Sequence, residues 1–337
     1  MTKERTLSPK RSSIWPVIGL GGILLLVPSL VGDEFYIHTA IMVYLNIIGA
    51  TGLNMIMKTG RLSLAQAGFV SVGAYSSALL ALRLGLPFPV TFLGAGVIAS
   101  ALAFAVGAVI LRLQGVYFLL ITYCLGETVR LVFTNGVNVF GGANGISGIP
   151  GAVIDLPWLA TPIEISSKQG FYYLTLIVAI VVVIFTILLY SSHVGRAFQA
   201  ISEAEGLTEC LGIDTTRYKV AAFALAGFFS GLQGALFAHY FRFIAPQFFG
   251  FWESVDLVVM NVVGGVNTYL GPIIGSLVLT PLPELLRGYV DYQRILYGVI
   301  LILAVAFMPG GIAVALSGCR LPSKPRRFRR GGAVESE

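Results

Sequence analysis

The chain has 337 residues, of which 56% are hydrophobic and 11% charged, with a mean hydropathy of +0.85. Soluble domains carry about 25% charged residues, so a soluble enzyme or soluble binding module is excluded and an all-α, polytopic membrane bundle is implied. The net charge of +6 is concentrated at the ends: Lys3, Arg5, Lys10 and Arg11 precede the first apolar run, and Arg320, Lys324, Arg326, Arg327, Arg329 and Arg330 follow the last. The basic tail lacks interleaved aromatics and a folded platform, which argues against nucleic acid and for contact with anionic lipid.

Apolar windows of about 17–25 residues give about ten candidate crossings: 14–32, 36–57, 62–84, 88–111, 116–134, 171–190, 220–241, 254–269, 271–287 and 292–309. The first has the basic flank of a signal peptide. Its length and the lack of a small-residue cleavage site predict an uncleaved span instead. Ser63, Gln66, Ser71, Ser76 and Ser77 interrupt the 62–84 run, and 254–269 meets 271–287 at Leu270 and Gly271. These segments read as broken or re-entrant helices, which need protein or a wet path around them. With the N-terminus inside, an even number of crossings returns the basic tail inside. Lys58, Arg61, Arg112, Arg196, Arg217 and Lys219 then lie on that same side, as the positive-inside rule expects.

The remaining polar residues within the runs fall into a few groups. Glu127 and Arg130 are three apart on one helix and can pair. They form either a self-satisfied structural pair or a gating element, and Glu284 and Arg287 repeat the spacing. Asn54, Ser63, Gln66, Ser71, Tyr75 and Ser76 either tie helices together or line a path. Asn144 stands in the glycine-rich stretch of the long connection 135–170, which faces outside in this layout. Among the 40 glycines, the Gly227/Gly231 spacing predicts close helix packing. The three cysteines and three histidines show no metal-ligand or disulfide spacing. The chain also lacks a phosphate-binding glycine loop followed by Lys-Ser/Thr, as well as hydrolase motifs.

The break at 191–219, SSHVGRAFQAISEAEGLTECLGIDTTRYK, is the most charged connection between the ends. Phe198, Ile201, Ala204, Leu207 and Leu211 recur at helical steps and are expected on one face. Gly206 is expected to divide two short helices, Gly212 to stop the second, and Asp214 or Thr215 to cap the next span, with Arg217 and Lys219 at the membrane surface. An interfacial helix on lipid has a basic polar face. Here the polar face carries Glu203, Glu205 and Glu209, so a protein partner is expected.

This break and the span after it, GRAFQAISEAEGLTECLGIDTTRYKVAAFALAGFFSGLQGALFAHY, resemble the coupling loop and following span of LivM-type permeases of branched-chain amino acid ABC transporters. GLNMIMKTGRLSLAQAGFVSVGAYSSALL (52–80), GETVRLVFTN (126–135), GGANGISGIP (141–150) and GGVNTYLGPIIGS (264–276) resemble further family segments in the same order. The chain departs from the family at Gln66, where His is frequent, and at Ala65, Gly206 and Cys210. The resemblance implies a permease domain over 14–309, basic ends at 1–13 and 310–337, and a bacterial inner-membrane location with both termini cytoplasmic. It implies coupling to separate ATPase subunits through Gly195, Arg196, Ala200, Glu203, Glu205, Glu209 and Gly212. ATP would be bound by those partners, with no cofactor in this chain. A second, related permease and an extracytoplasmic substrate-binding protein are the other implied partners. The implied cargo is Leu, Ile and Val or a related amide or amino acid, moved along a path whose candidates are Asn54, Ser63, Gln66, Tyr75 and Asn144. An ion-coupled secondary transporter is the alternative.

Overall fold

The computed structural model describes residues 34–154, 163–165, 167–285, 298 and 311–313. The expected crossing 14–32, nearly all of 292–309, most of the two basic ends, and Arg287 lie outside these residues. Six helices among the described residues are long and apolar enough to cross a membrane: α1 (Glu34–Met57), α2 (Gln66–Leu84), α3 (Phe88–Ile110), α4 (Val116–Asn135), α6 (Lys168–Ser191) and α9 (Thr215–Phe241). Between them lie α5 (Val137–Phe140), α7 (His193–Glu203) and α8 (Glu205–Cys210), and after α9 come α10 (Phe251–Gly264), α11 (Gly271–Leu279) and α12 (Pro281–Leu285).

At the centre of the bundle are α1 and α9. Small residues let neighbouring backbones approach α9 closely: a Cβ at Gly231 would lie 2.7 Å from the Ala95 carbonyl oxygen and from the Ala99 methyl, both on α3. Gly73 on α2 stacks against Gly231 on its other side, and Gly234 packs on Val70. The small-residue spacing in α9 is therefore a packing device, since dispersion between close backbones replaces the hydrophobic effect that lipid cannot supply. Helices α3 and α4 are peripheral, and Val97, Phe104, Val109, Val116 and Tyr117 are exposed on them.

The two short segments after α9 are broken, as the sequence implied. A 14-residue helix such as α10 is about 21 Å long, short of the roughly 30 Å hydrocarbon core, and α11 has only 9 residues. They pack antiparallel through glycines: a side chain at Gly264 would strike Gly271, and one at Gly275 would strike Met260. Irregular backbone also precedes α2. The expected crossing 62–84 becomes helical only at Gln66, and Ser63 and Ala65 are buried in the connection that leads to it. Protein groups satisfy the amides freed there. Leu64 donates to Thr122 Oγ1 at 3.2 Å, Ala65 to Ser63 Oγ at 3.2 Å and Ala67 to Ser254 Oγ of α10 at 2.9 Å.

The opposite end of the bundle is capped by the described parts of the 135–170 connection. Strand β1 (Ile146–Ser147) pairs antiparallel with β4 (Phe243–Ile244), with Ile146 opposite Ile244. Strands β2 (Ala152–Ile154) and β3 (Ile163–Ile165) form a second small ladder. His239 near the end of α9 bonds Ser77 through Nε2 at 2.9 Å and the Pro150 carbonyl through Nδ1 at 2.8 Å. Gly145 passes so close to the Ile244 carbonyl that no Cβ would fit.

Candidate functional site

The charged break folds into α7 and α8 at the end of the bundle opposite the cap. Ser192 caps α7, its hydroxyl accepting from the Val194 amide at 3.2 Å. Gly195 lies so close to the Tyr190 backbone that any larger residue would collide. Asp214 caps α9 as expected, accepting from the Arg217 amide at 3.1 Å, and pairs with the Arg217 side chain. Gly212, at φ +82, ends α8.

The division between α7 and α8 differs from the expectation. It falls at Ala204, which is extended (φ −157, ψ 87), and Gly206 lies inside α8 with open space around it. Because the helix axis changes at Ala204, the helical face expected over 198–211 is split. Phe198 and Ile201 of α7 are buried, whereas Leu207 and Leu211 stand 65% and 76% exposed. Two leucines presented to solvent on a short surface helix form an apolar contact that a partner can cover. Glu203 and Glu209 are exposed beside them; Glu203 accepts from Gln199 Nε2 at 3.0 Å and Glu209 from Thr215 Oγ1 at 2.6 Å. Arg196 is exposed, with its guanidinium on His193 Nδ1 at 2.8 Å, and Ala200 is half-buried.

Glu205 behaves differently. It points into the bundle and binds two cations: Arg61 Nη2 at 3.0 Å and the Lys219 ammonium. Both cations are nearly buried, at 7% and 4% side-chain exposure. Lys219 is therefore turned inward, not toward the membrane surface as the sequence suggested. Partial burial pushes the Glu205 carboxyl up, but the Lys219 and Arg61 partners outweigh it and hold the group below the ordinary carboxylate range. Arg61 belongs to the turn that joins α1 to α2. Its other nitrogen donates to the Leu113 carbonyl at 2.6 Å, and its guanidinium lies 6.0 Å from the centre of the Phe118 ring. In the same turn Gly60, at φ +78, passes Ser202 of α7, and Lys58 donates to the Asn267 carbonyl between α10 and α11.

Asn54, one helical turn before Lys58, is fully buried. It donates to Asn261 Oδ1 at 3.0 Å and to the Val266 carbonyl at 3.1 Å, and accepts from the Tyr190 hydroxyl at 2.8 Å. It thus joins α1 to α6 and to the broken segment. Gln66 is buried with neither amide atom hydrogen-bonded among the described residues, and the Tyr75 hydroxyl is in the same condition, its ring stacked on Phe133. Buried polar groups without partners are uncommon and mark places where water or a ligand fits. Asn144 is exposed on the cap, far along the chain from this group. Glu127 and Arg130 pair on the outer side of α4, with Arg130 Nε 3.0 Å from both carboxylate oxygens. Glu127 also borders a small cleft with Leu64, Ala67, Tyr123, Gly126 and the first turn of α10.

Sequence reasoning missed Arg61, Lys219, Leu207 and Leu211 as members of this site. The acidic Glu205 between two helical segments was visible, but nothing local announces partners 144 positions earlier and 14 later.

Comparison with known proteins agrees with this architecture. Residues 35–305 match the family described as "Branched-chain amino acid transport system / permease component". The high-affinity branched-chain amino acid transport system permease protein LivM of Escherichia coli is 32% identical over 320 residues, covering 89% of this chain and 73% of the relative. LivM of Salmonella typhimurium is 32% identical over 294 residues, covering 82% and 69%. LivH of Escherichia coli is 26% identical over 228 residues, covering 66% and 72%. No solved structure matches the chain. With six helices among the described residues long and apolar enough to cross a membrane, a broken helix pair and this extent of match, the chain belongs to the family of permease components of branched-chain amino acid transport systems.

Proposed function

We propose that this chain is one permease half of an ATP-driven importer in the bacterial inner membrane, moved by separate ATPase subunits that dock on α7 and α8. The observation that carries this reading is the exposed apolar pair Leu207 and Leu211, flanked by Glu203 and Glu209, on two short helices braced against the bundle. Such a surface suits the groove of a soluble protein better than anionic lipid, which its carboxylates would repel. In this reading both termini are cytoplasmic, 14–309 is the permease domain and the basic ends touch lipid headgroups. The cap built from 135–170 faces a substrate-binding protein on the other side.

A second, related permease completes the path. The LivM and LivH relatives are both permease proteins of high-affinity branched-chain amino acid transport systems, which supports pairing of two such chains and Leu, Ile and Val as cargo. The unpartnered Gln66 amide and Tyr75 hydroxyl are the path candidates that the packing favours, because a polar cargo or water would satisfy them. Asn54 is spent on holding helices together.

Co-expression of the chain with its candidate ATPase, second permease and binding protein tests this. The ATPase is expected to co-purify, and proteoliposomes are expected to take up radiolabelled leucine only with internal ATP and binding protein. Leu207→Ser with Leu211→Ser should release the ATPase while leaving the permease in the membrane. Uptake that follows an ion gradient without ATPase would replace this reading with an ion-coupled carrier.

A further inference from the structure

The triad Arg61–Glu205–Lys219 lies behind the docking surface, not on it. Three observations set it apart from the exposed carboxylates. Both cations are almost completely buried, while Glu205 is 27% exposed. Its two ion pairs join three separate segments: the α1–α2 turn, α8 and the start of α9. The turn that supplies Arg61 also holds Leu113 ahead of α4 and, through Lys58, Asn267 between the broken helices. It lies in sequence between buried Asn54 and the Ser63–Gln66 segment, two of the places where polar groups are buried in the bundle.

We propose that Glu205 acts as a transmission latch: through Arg61 it ties movement of the α7–α8 unit to the Lys58–Arg61 turn, and so to the polar interior, while Lys219 braces the latch to α9. Pulling a carboxylate away from two desolvated cations is costly, because neither cation has water to replace it. A displacement of α8 therefore drags the turn with it instead of breaking the contact. Exposed pairs such as Arg217–Asp214, at 87% and 49% exposure, would slip, since water substitutes for either partner at small cost. Glu205, Arg61 and Lys219 are positioning residues in this scheme and touch neither ATP nor cargo.

The latch rests on the importer reading, and the test separates the two. The full complex is reconstituted, and leucine uptake, ATP hydrolysis and ATPase co-purification are measured for three variants. Arg61→Met leaves Glu205 and Lys219 as a neutral pair, and Lys219→Met leaves Glu205 and Arg61 as one, so each keeps its charge balance in the interior. Glu205→Asp keeps the charge on a shorter arm. Arg61→Met is expected to keep the ATPase bound while lowering leucine moved per ATP by about tenfold, the size of a typical coupling energy. Lys219→Met should stay within about twofold of wild type, and Glu205→Asp should fall between them.

Equal losses in Arg61→Met and Lys219→Met, or none in either, would overturn the latch. So would loss of ATPase co-purification in Glu205→Asp or Arg61→Met, because that result makes the triad part of the docking contact and leaves the importer reading intact. A wild-type complex without any co-purifying ATPase sinks the importer reading, and the latch with it.

Discussion

The chain holds two charge clusters of opposite construction. Glu127 and Arg130 are neighbours on one helix turn, both about a third exposed, and satisfy each other without involving the rest of the fold. Arg61, Glu205 and Lys219 come from three separate segments, and their cations are buried. The first cluster can be made or lost with little consequence beyond α4. The second fixes how three parts of the bundle sit together. A pair that is close in sequence reports local helix geometry, whereas a pair that is distant in sequence constrains the tertiary arrangement and any movement between its parts.

Unequal cost on mutation should bring out the contrast most sharply. Glu205→Gln leaves two buried cations without an anion, and should lower stability by about 3–5 kcal/mol, seen as a large drop in the thermal midpoint in detergent. Lys219→Met removes one of those cations and keeps a neutral pair, and should cost only about 1–2 kcal/mol. If the two variants melt together, the triad is not behaving as a desolvated cluster. Glu127→Gln should cost about 1 kcal/mol or less, and adding Arg130→Met should return the midpoint toward wild type by removing the orphaned cation. A loss as large as that of Glu205→Gln would show that the α4 pair is buried against a partner and would end the contrast.

Acid provides the mildest test. The carboxyl of Glu205 is held below the ordinary carboxylate value of 4.5 in the fold, so the unfolded chain binds more protons as pH falls past that value. The triad's contribution to stability should be full above about pH 4.5 and should fade as pH drops through the lower folded value. Melting curves of wild type and Glu205→Gln should therefore converge in acid. Curves that remain parallel would mean that Glu205 titrates no differently in the two states.

Much of the architecture was legible because membrane spans are a composition signal. The cores of α1, α3, α4, α6 and α9 follow from apolar run length, and the broken pair α10–α11 from short runs meeting at Leu270 and Gly271. The Asp214 cap and the Glu127–Arg130 pair were readable for the same reason, since both are local. The bend at Ala204 was not. Helix-breaking tendency pointed to Gly206, yet packing set the bend: Phe198 and Ile201 go inward while Thr208 of α8 is buried by a different route. Once the bend moved, Leu207 and Leu211 left the face expected to hold Phe198 and Ile201, and Glu205 turned toward the bundle. One misplaced residue thus exchanged the roles of an acid and two leucines.

The stapled cap at the far end of α9 has a mechanical consequence. With His239 bonded on both ring nitrogens and β4 laddered to β1, that end of α9 is held in place. A helix of 27 residues is about 40 Å long, so a tilt of about 5° pivoting at the cap displaces the Thr215 end by roughly 3–4 Å. Because Gly231 and Gly234 seat α3 and α2 directly on its backbone, those helices would swing with it as a single boom, its travel greatest beside Lys219 and nearly nil beneath the cap.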